Sequence, residues 1–289
     1  MSKTNVSFQG EPGAFSEAAA FEYFGSSINT LPCKTFDQAF ESVTQGKCSH
    51  GILPIENTLA GSIHRNFDLL LRYDLTIVAE HHLRVRHCLL GLPDALLKDV
   101  RKVFSHPAAL AQCESSLDKL GVERIAENDT AGSARLIKEK GNPTFAAIAS
   151  KHAAQVYGLQ VLKHDMEDNP ENYTRFLVLS SEPSPKMSAN GNGLDYKTSI
   201  VFSLDNKPGI LFKALSVFAL REIDLTKIES RPLIGKPWEY LFYIDFIGHT
   251  ESETCKHAMR HLEEIAPFSR ILGSYPRHRL DNHSKDNPG

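Results

Sequence analysis

Through roughly the first 180 residues, short apolar runs alternate with amphipathic stretches, and that alternation most narrows the fold. VSFQ precedes SEAAAFEYF, NTLPC precedes FDQAFESVTQ, and GILPI precedes GSIHRNFDLLLR. After a long apolar, β-branched passage from Leu75 to Gly91 the pattern restarts, with VFSH before PAALAQCESSLDKLG, RIAEN before DTAGSARLIKEKG and FAAIA before SKHAAQVYG. Helical segments of ~10–15 residues between short strands predict an α/β fold with a largely parallel sheet. The passage separating the two rounds predicts two lobes with a cleft between them.

A different pattern follows. From Glu182 to Tyr196 the chain reads EPSPKMSANGNGLDY, without periodic apolar residues. Such a stretch buries too little surface to fold alone, which marks a linker. Residues 1–181 are thus expected to form one domain, 182–196 a linker, 197–277 a second domain and the polar 278–289 a frayed tail. KTSIVFSL reads as a strand, and Asn206-Lys207-Pro208-Gly209 as a turn opening a helix. Leu211, Phe212, Leu215, Phe218 and Ala219 fall on one face of that helix. LTKIESRPL and EYLFYIDFIG pair around Gly235-Lys236-Pro237, ETCKHAMRHLEEIA is a second helix, and RILGSYP is the last strand. The order βαββαβ is that of a ferredoxin-like unit.

Bulk properties exclude several partners. A formal net charge of -3 supplies no basic face for nucleic acid or anionic lipid. No apolar run approaches the ~18 residues a membrane span needs. The opening MSKTNVSFQGEPG has no apolar signal core, so the expectation is neither a secretory nor a transit peptide, and a cytoplasmic protein. The 5 cysteines are odd in number and form no Cys-x-x-Cys pair, which reads as reduced thiols filling cores. His257 and His261 are four apart but lack a third ligand, and the glycine spacing fits neither a dinucleotide fingerprint nor a P-loop. No metal and no organic cofactor is expected.

The strand-to-helix junctions are Gly10–Ser16, Pro54–Thr58, Ser105-His106-Pro107, Asp129–Gly132 and Ser150. Ligands of open α/β sheets bind at such places, and free helix amides suit anions there. For any one of them, simple N-capping by Ser, Thr and Asp is the leading explanation. Five together, with few cations nearby, favour a small carboxylate. The tract DNPENYTRFLVLSS, 168–181, adds a hydroxyl and a guanidinium, Thr174 and Arg175, at the mouth of an apolar strand. Locally this is either an anion site or an edge threonine beside an arginine paired with Asp165 or Asp168.

NKPGILFKALSVFALREIDLTKIESRPL resembles an ACT domain, the amino-acid-sensing module of biosynthetic enzymes. Its Glu229-Ser230-Arg231-Pro232 is similar to the phenylalanine-responsive signature of prephenate dehydratases. GEPGAFSEAAA, PIENTLAGSIHRNFDLLL, SHPAALAQC, DTAGSA, YGLQVL and NYTRF agree, and the resemblance runs from Val6 to Pro276. The wording is especially like the plant-type branch, which includes arogenate dehydratases. Ala108 stands where the family often has Gln, Gly209-Ile210-Leu211 where Gly-Ala-Leu is usual, and Ser133 where Ala is common.

The resemblance implies two catalytic lobes like those of type 2 periplasmic-binding folds, followed by an ACT domain. It implies decarboxylating dehydration of prephenate to phenylpyruvate, or of arogenate to phenylalanine. Thr174 and Arg175 take the catalytic roles: a hydroxyl aimed at the departing oxygen, and a cation holding carboxylate in two-pronged fashion. Glu56, Asn57, Ser105, Gln112, Thr130 and Phe176 match pocket positions. Glu56 reads equally as a helix entry and Thr130 as part of a cap, whereas Phe176 reads first as a core anchor and His106 as a turn residue. Pro208, Gly209, Ile210 and Leu211 are expected to receive the carboxylate of L-phenylalanine, with Glu229, Ser230, Arg231 and Pro232 shaping the rest of that pocket. ACT units commonly pair, so a homodimer or homotetramer is expected. The rival reading is a non-catalytic small-carboxylate-binding protein.

Overall fold

The alternating segments become strands and helices in the expected order. The computed structural model describes residues 3–184, 186–187, 195–233 and 239–278. The first round supplies β1 (Asn5–Gln9), α1 (Phe15–Phe24), β2 (Asn29–Cys33), α2 (Phe36–Thr44), β3 (His50–Asn57), β4 (Gly61–Ser62), α3 (His64–Arg72) and β5 (Thr76–Arg84). The second supplies β6 (Cys88–Gly91), β7 (Lys102–Ser105), α4 (Pro107–Gln112), α5 (Glu114–Leu120), β8 (Glu123–Ala126), α6 (Thr130–Lys140), β9 (Phe145–Ala149), α7 (Lys151–Tyr157) and β10 (Gln160–Lys163). Then come β11 (Tyr173–Ser180), β12 (Tyr196–Leu204), α8 (Ile210–Ala219), β13 (Leu225–Pro232), β14 (Tyr240–Ile247), α9 (Glu253–Ile265) and β15 (Phe268–Pro276).

The strands form three sheets, ordered β2-β1-β3-β11-β5 with β4 beside β3, β10-β6-β9-β7-β8, and β13-β14-β12-β15. β1 runs parallel to β2 and β3, and β7 to β8 and β9, as helical crossovers require. β9 shows why the second sheet holds: Ala146 and Ile148 pack into one apolar cluster, Ala147 and Ala149 into another, so both faces are dry. The five cysteines are free and buried, as core fillers should be.

Two details of the alternating region go beyond the sequence reading. The passage Leu75–Gly91 holds two strands: β5 belongs to the first sheet and β6 to the second, with Val85–His87 crossing between them. PAALAQCESSLDKLG is not one helix. It breaks at Cys113 (φ -117, ψ 19), and the Gln112 carbonyl accepts the Asp168 backbone N–H at 2.7 Å. A tertiary bond there replaces the helical one.

Compactness divides the described chain into two units: the residues up to Ile63 with His82–Phe176, and His64–His81 with those from Leu177 onward. The division falls inside β5 and β11 rather than in the expected linker, most of which lies outside the described residues. So do the turn Gly235–Pro237 and the tail beyond His278.

In the second unit the four-stranded sheet is antiparallel, and α8 and α9 share one apolar core with one of its faces. Ala214, Val217 and Phe218 are the buried residues of α8; Phe212, expected beside them, is 76% exposed, and Ala219 is exposed as well. The stripe runs one position away from Phe212. The opposite sheet face receives α3. Tyr243 Oη donates to the Phe67 carbonyl at 3.0 Å, and Arg270 donates to the carbonyls of Leu71 and Tyr73. Burial and the nearby Asp68 carboxylate push the Tyr243 phenol well above its usual range. Lys197 and Glu80 form a 2.8 Å ion pair in which Glu80 is 2% exposed. β15 approaches β5 so closely that a Cβ on Gly273 would collide with the Ile77 carbonyl.

Candidate functional site

Two crossings join the first and second sheets: Val85–His87, and the loop between β10 and β11 that ends at Asn172. They are tied to each other. Val85 N–H donates to the Asn172 carbonyl at 2.7 Å, Met166 N–H to the His87 carbonyl at 2.9 Å, and His87 N–H to Glu167 Oε2 at 2.8 Å. The end of β3 is tied to the same loop. Thr58 N–H donates to the Tyr173 carbonyl, Tyr173 N–H to Thr58 Oγ1, and the Thr58 hydroxyl to the Glu171 carbonyl. Thr174 is thereby fixed next to Asn57.

Asn57 organises the site. Its Oδ1 accepts the backbone N–H groups of Leu59 and Ala60, each at 2.9 Å, so its Nδ2 faces the opposite way. Nδ2 then lies 2.8 Å from Asn172 Oδ1, 3.1 Å from the Tyr173 carbonyl and 3.0 Å from Thr174 Oγ1. The last bond decides the chemistry. The Thr174 oxygen is an acceptor, so its own proton remains free to donate, and no described residue takes it. Asn172, fully buried, passes the chain on through Nδ2 to Gln112 Oε1 at 3.1 Å.

The other expected residues are placed as follows. Alternation along β11 sends Arg175 from the strand face opposite to Thr174 and Phe176. Arg175 is half-buried, and its assignment to a substrate carboxylate follows from the family alone. Phe176 is 1% exposed and packs as an anchor. Ser105 is fully buried and spends its proton on the Ile148 carbonyl at 2.7 Å. Glu56 pairs with Ser62 across the β3–β4 ladder and is half-buried. Thr130 opens α6 behind the Asp129 cap, whose Oδ1 accepts from Gly132 N–H. His106 caps α4 through Nδ1 and is exposed. Ser150 caps α7 and also donates to the Gly13 carbonyl at 2.7 Å.

Asn172, His87 and Glu17 escaped the sequence reading. Asn172 carried a weak signal, since it precedes the Tyr173-Thr174-Arg175 strand start. Glu17 accepts from Gly13 N–H at 2.6 Å and from the Thr30 hydroxyl at 2.8 Å, and meets His152 Nε2 at 2.9 Å. Burial would raise its pKa, but the bonds from His152, Gly13 and Thr30 outweigh that and lower it. Among the described residues no group of three His, Cys, Asp or Glu is placed to hold a metal.

The expected regulatory residues divide by strand alternation. Glu229 faces His64 Nε2 at 3.2 Å, Arg231 pairs with Asp68 at 3.1 Å, and Lys227 lies over the Phe67 ring, all on the α3 side. Ser230, opposite Phe242, lies on the α8 side with Pro232, and both are exposed. Pro208 and Gly209 are exposed too, and among the described residues no side chain caps the start of α8. Only Ser230 and Pro232 of the four therefore share a sheet face with that helix.

The site thus sets a hydroxyl among carboxamides on α/β sheets, and a βαββαβ module follows it in the chain. Residues 6–184 match the family model of prephenate dehydratase and 198–254 that of the ACT domain, and the chain belongs to the prephenate dehydratase family. It is 50% identical over 284 residues to a protein of Arabidopsis thaliana named arogenate dehydratase/prephenate dehydratase 2, chloroplastic, covering 95% of this chain and 73% of the relative. A solved prephenate dehydratase from Arthrobacter aurescens, in complex with L-Phe, superposes with a TM-score of 0.85 at 32% identity, covering 95% of this chain and 90% of that one. A structure described as GqqA, a novel type of quorum quenching acylase, superposes with a TM-score of 0.87 at 37% identity, covering 95% and 98%.

Proposed function

We propose that this protein converts prephenate to phenylpyruvate, water and carbon dioxide in phenylalanine biosynthesis, with feedback by L-phenylalanine at its ACT domain. Aromatisation supplies the drive, so the protein must mainly hold a dianion and help an oxygen leave. As the ring carboxylate departs as carbon dioxide, its bonding electrons enter the ring and the ring C–O bond breaks. Thr174 donates to the departing oxygen, stabilising charge that appears only in the transition state. The unassigned proton of Thr174, left free because Asn57 occupies its oxygen as a donor, is the observation that carries this reading. The family likeness assigns a substrate carboxylate to Arg175, which leaves β11 from the face opposite to Thr174.

The same bond weighs against acyl transfer. A hydroxyl nucleophile needs an adjacent base to take its proton, and Thr174 meets an amide donor instead. A second reading, arogenate to phenylalanine, is favoured by the 50% identity to an enzyme named for both substrates. Comparing kcat/KM on prephenate and arogenate, with and without L-phenylalanine, tests these readings together. Turnover of prephenate suppressed by L-phenylalanine supports the first; a preference for arogenate moves the assignment to the second; turnover of neither removes both. The proposed homodimer or homotetramer would cover Phe212 and Leu220, which are 76% and 78% exposed.

A further inference from the structure

His87 is a buried imidazole to which the proposed elimination gives no role. It lies in the first crossing, is 2% exposed, and meets the Phe15 ring edge-on at 5.4 Å. Its Nε2 is 2.8 Å from Gln112 Oε1, while Nδ1 is buried without a partner among the described residues.

The direction of the His87–Gln112 bond follows from the far end of the network. Asn57 must present Nδ2 to Asn172, because its Oδ1 is taken by two backbone N–H groups. Asn172 therefore accepts through Oδ1 and donates through Nδ2 to Gln112. Gln112 meets Asn172 and His87 with the same carbonyl oxygen, so His87 must bring the hydrogen. The ring is neutral, with its proton on Nε2 and a bare Nδ1. A second N–H would be a buried donor with nothing to meet. Burial also pushes the His87 pKa down, against the upward pull of Gln112 and the Glu167 carboxylate.

Two donors on one carbonyl hold the Gln112 amide from behind. Its NH2 group points away from them and has no partner among the described residues. We propose that His87 is a positioning residue of the dehydration, its Nε2–H fixing Gln112 so that the free NH2 meets a substrate oxygen. The identity of that substrate rests on the proposed function; the tautomer does not.

Substitution and spectroscopy test this separately. His87→Phe keeps an aromatic ring and removes the donor, and its kcat/KM should fall about 10- to 100-fold, the usual effect of leaving a buried bond unmade. His87→Gln places an amide nitrogen near the Nε2 position and should recover most of the loss. In a Gln112→Ala background the His87→Phe substitution should have little further effect, whereas packing loss alone would multiply through. Equal activity of His87→Phe and wild type, or fully multiplicative losses, would overturn the proposal. Nitrogen–proton NMR correlation of the wild-type imidazole reads the tautomer without reference to turnover. A protonated Nε2 with a bare Nδ1 supports the assignment, and the other tautomer or an imidazolium at neutral pH overturns it. If wild type turns over neither prephenate nor arogenate, the proposed function fails while the NMR result still judges His87.

Discussion

Around Thr174 the protein links neutral carboxamides, one hydroxyl and a neutral imidazole in a single chain of hydrogen bonds. On the α3 side of the β13–β14 sheet it packs Lys227, Glu229, Arg231, His64 and Asp68 against one another. Each choice fits its load. Neutral amides carry no charge that needs a counter-ion, and each bond of a buried chain polarises the next. On the α3 side Lys227 and Arg231 are matched by Glu229 and Asp68, and partly exposed ion pairs are individually weak. What they supply is register: they fasten α3 to the alternate residues of the strand whose other face carries Ser230 and Pro232.

The contrast predicts large effects in the amide network and small ones among the charges. Thr174→Ala should lower kcat about 100- to 1,000-fold, the usual loss for a single transition-state donor, with Thr174→Ser retaining most of the rate. Gly273→Ala, which would drive a Cβ into the Ile77 carbonyl, should destabilise the chain by about 2–3 kcal/mol in denaturant titration without touching the amide network. Glu17 carries a smaller effect with a defined sign. Its folded pKa is depressed, so its contribution is present above the ordinary value of 4.5 and is lost as pH falls through the folded one. The stability gap between wild type and Glu17→Gln should therefore narrow on going from about pH 5 to about pH 3 and stay flat near neutrality. Asp68→Asn should cost least, about 0.2–1 kcal/mol, and leave kcat unchanged. A large loss of turnover in Asp68→Asn would erase the distinction between the two regions.

Much of this was legible in the residues, and the failures have physical causes. Strand–helix alternation fixed the order of elements because each amphipathic segment needs a sheet face to cover it. Thr174 stood out because a polar pair at the start of an apolar strand must be satisfied somewhere. The two sheets served by Leu75–Gly91 were not visible, since a continuous apolar run reads the same whether or not it crosses between them. The break at Cys113 depends on Asp168, 55 positions away in the chain. His87 precedes CLLG with no local cue, and its importance comes only from Gln112 across the fold. The division of Glu229 and Arg231 from Ser230 and Pro232 was available all along in the two-residue period of a strand.

The most direct test is a double-mutant cycle between Asn57 and Thr174, measured as kcat/KM on the preferred substrate. If Asn57 acts by holding the Thr174 oxygen, Asn57→Ala should slow wild type strongly and add little once Thr174 is Ala. Independent losses that multiply in the double variant would contradict a hydroxyl oriented by its neighbour's amide.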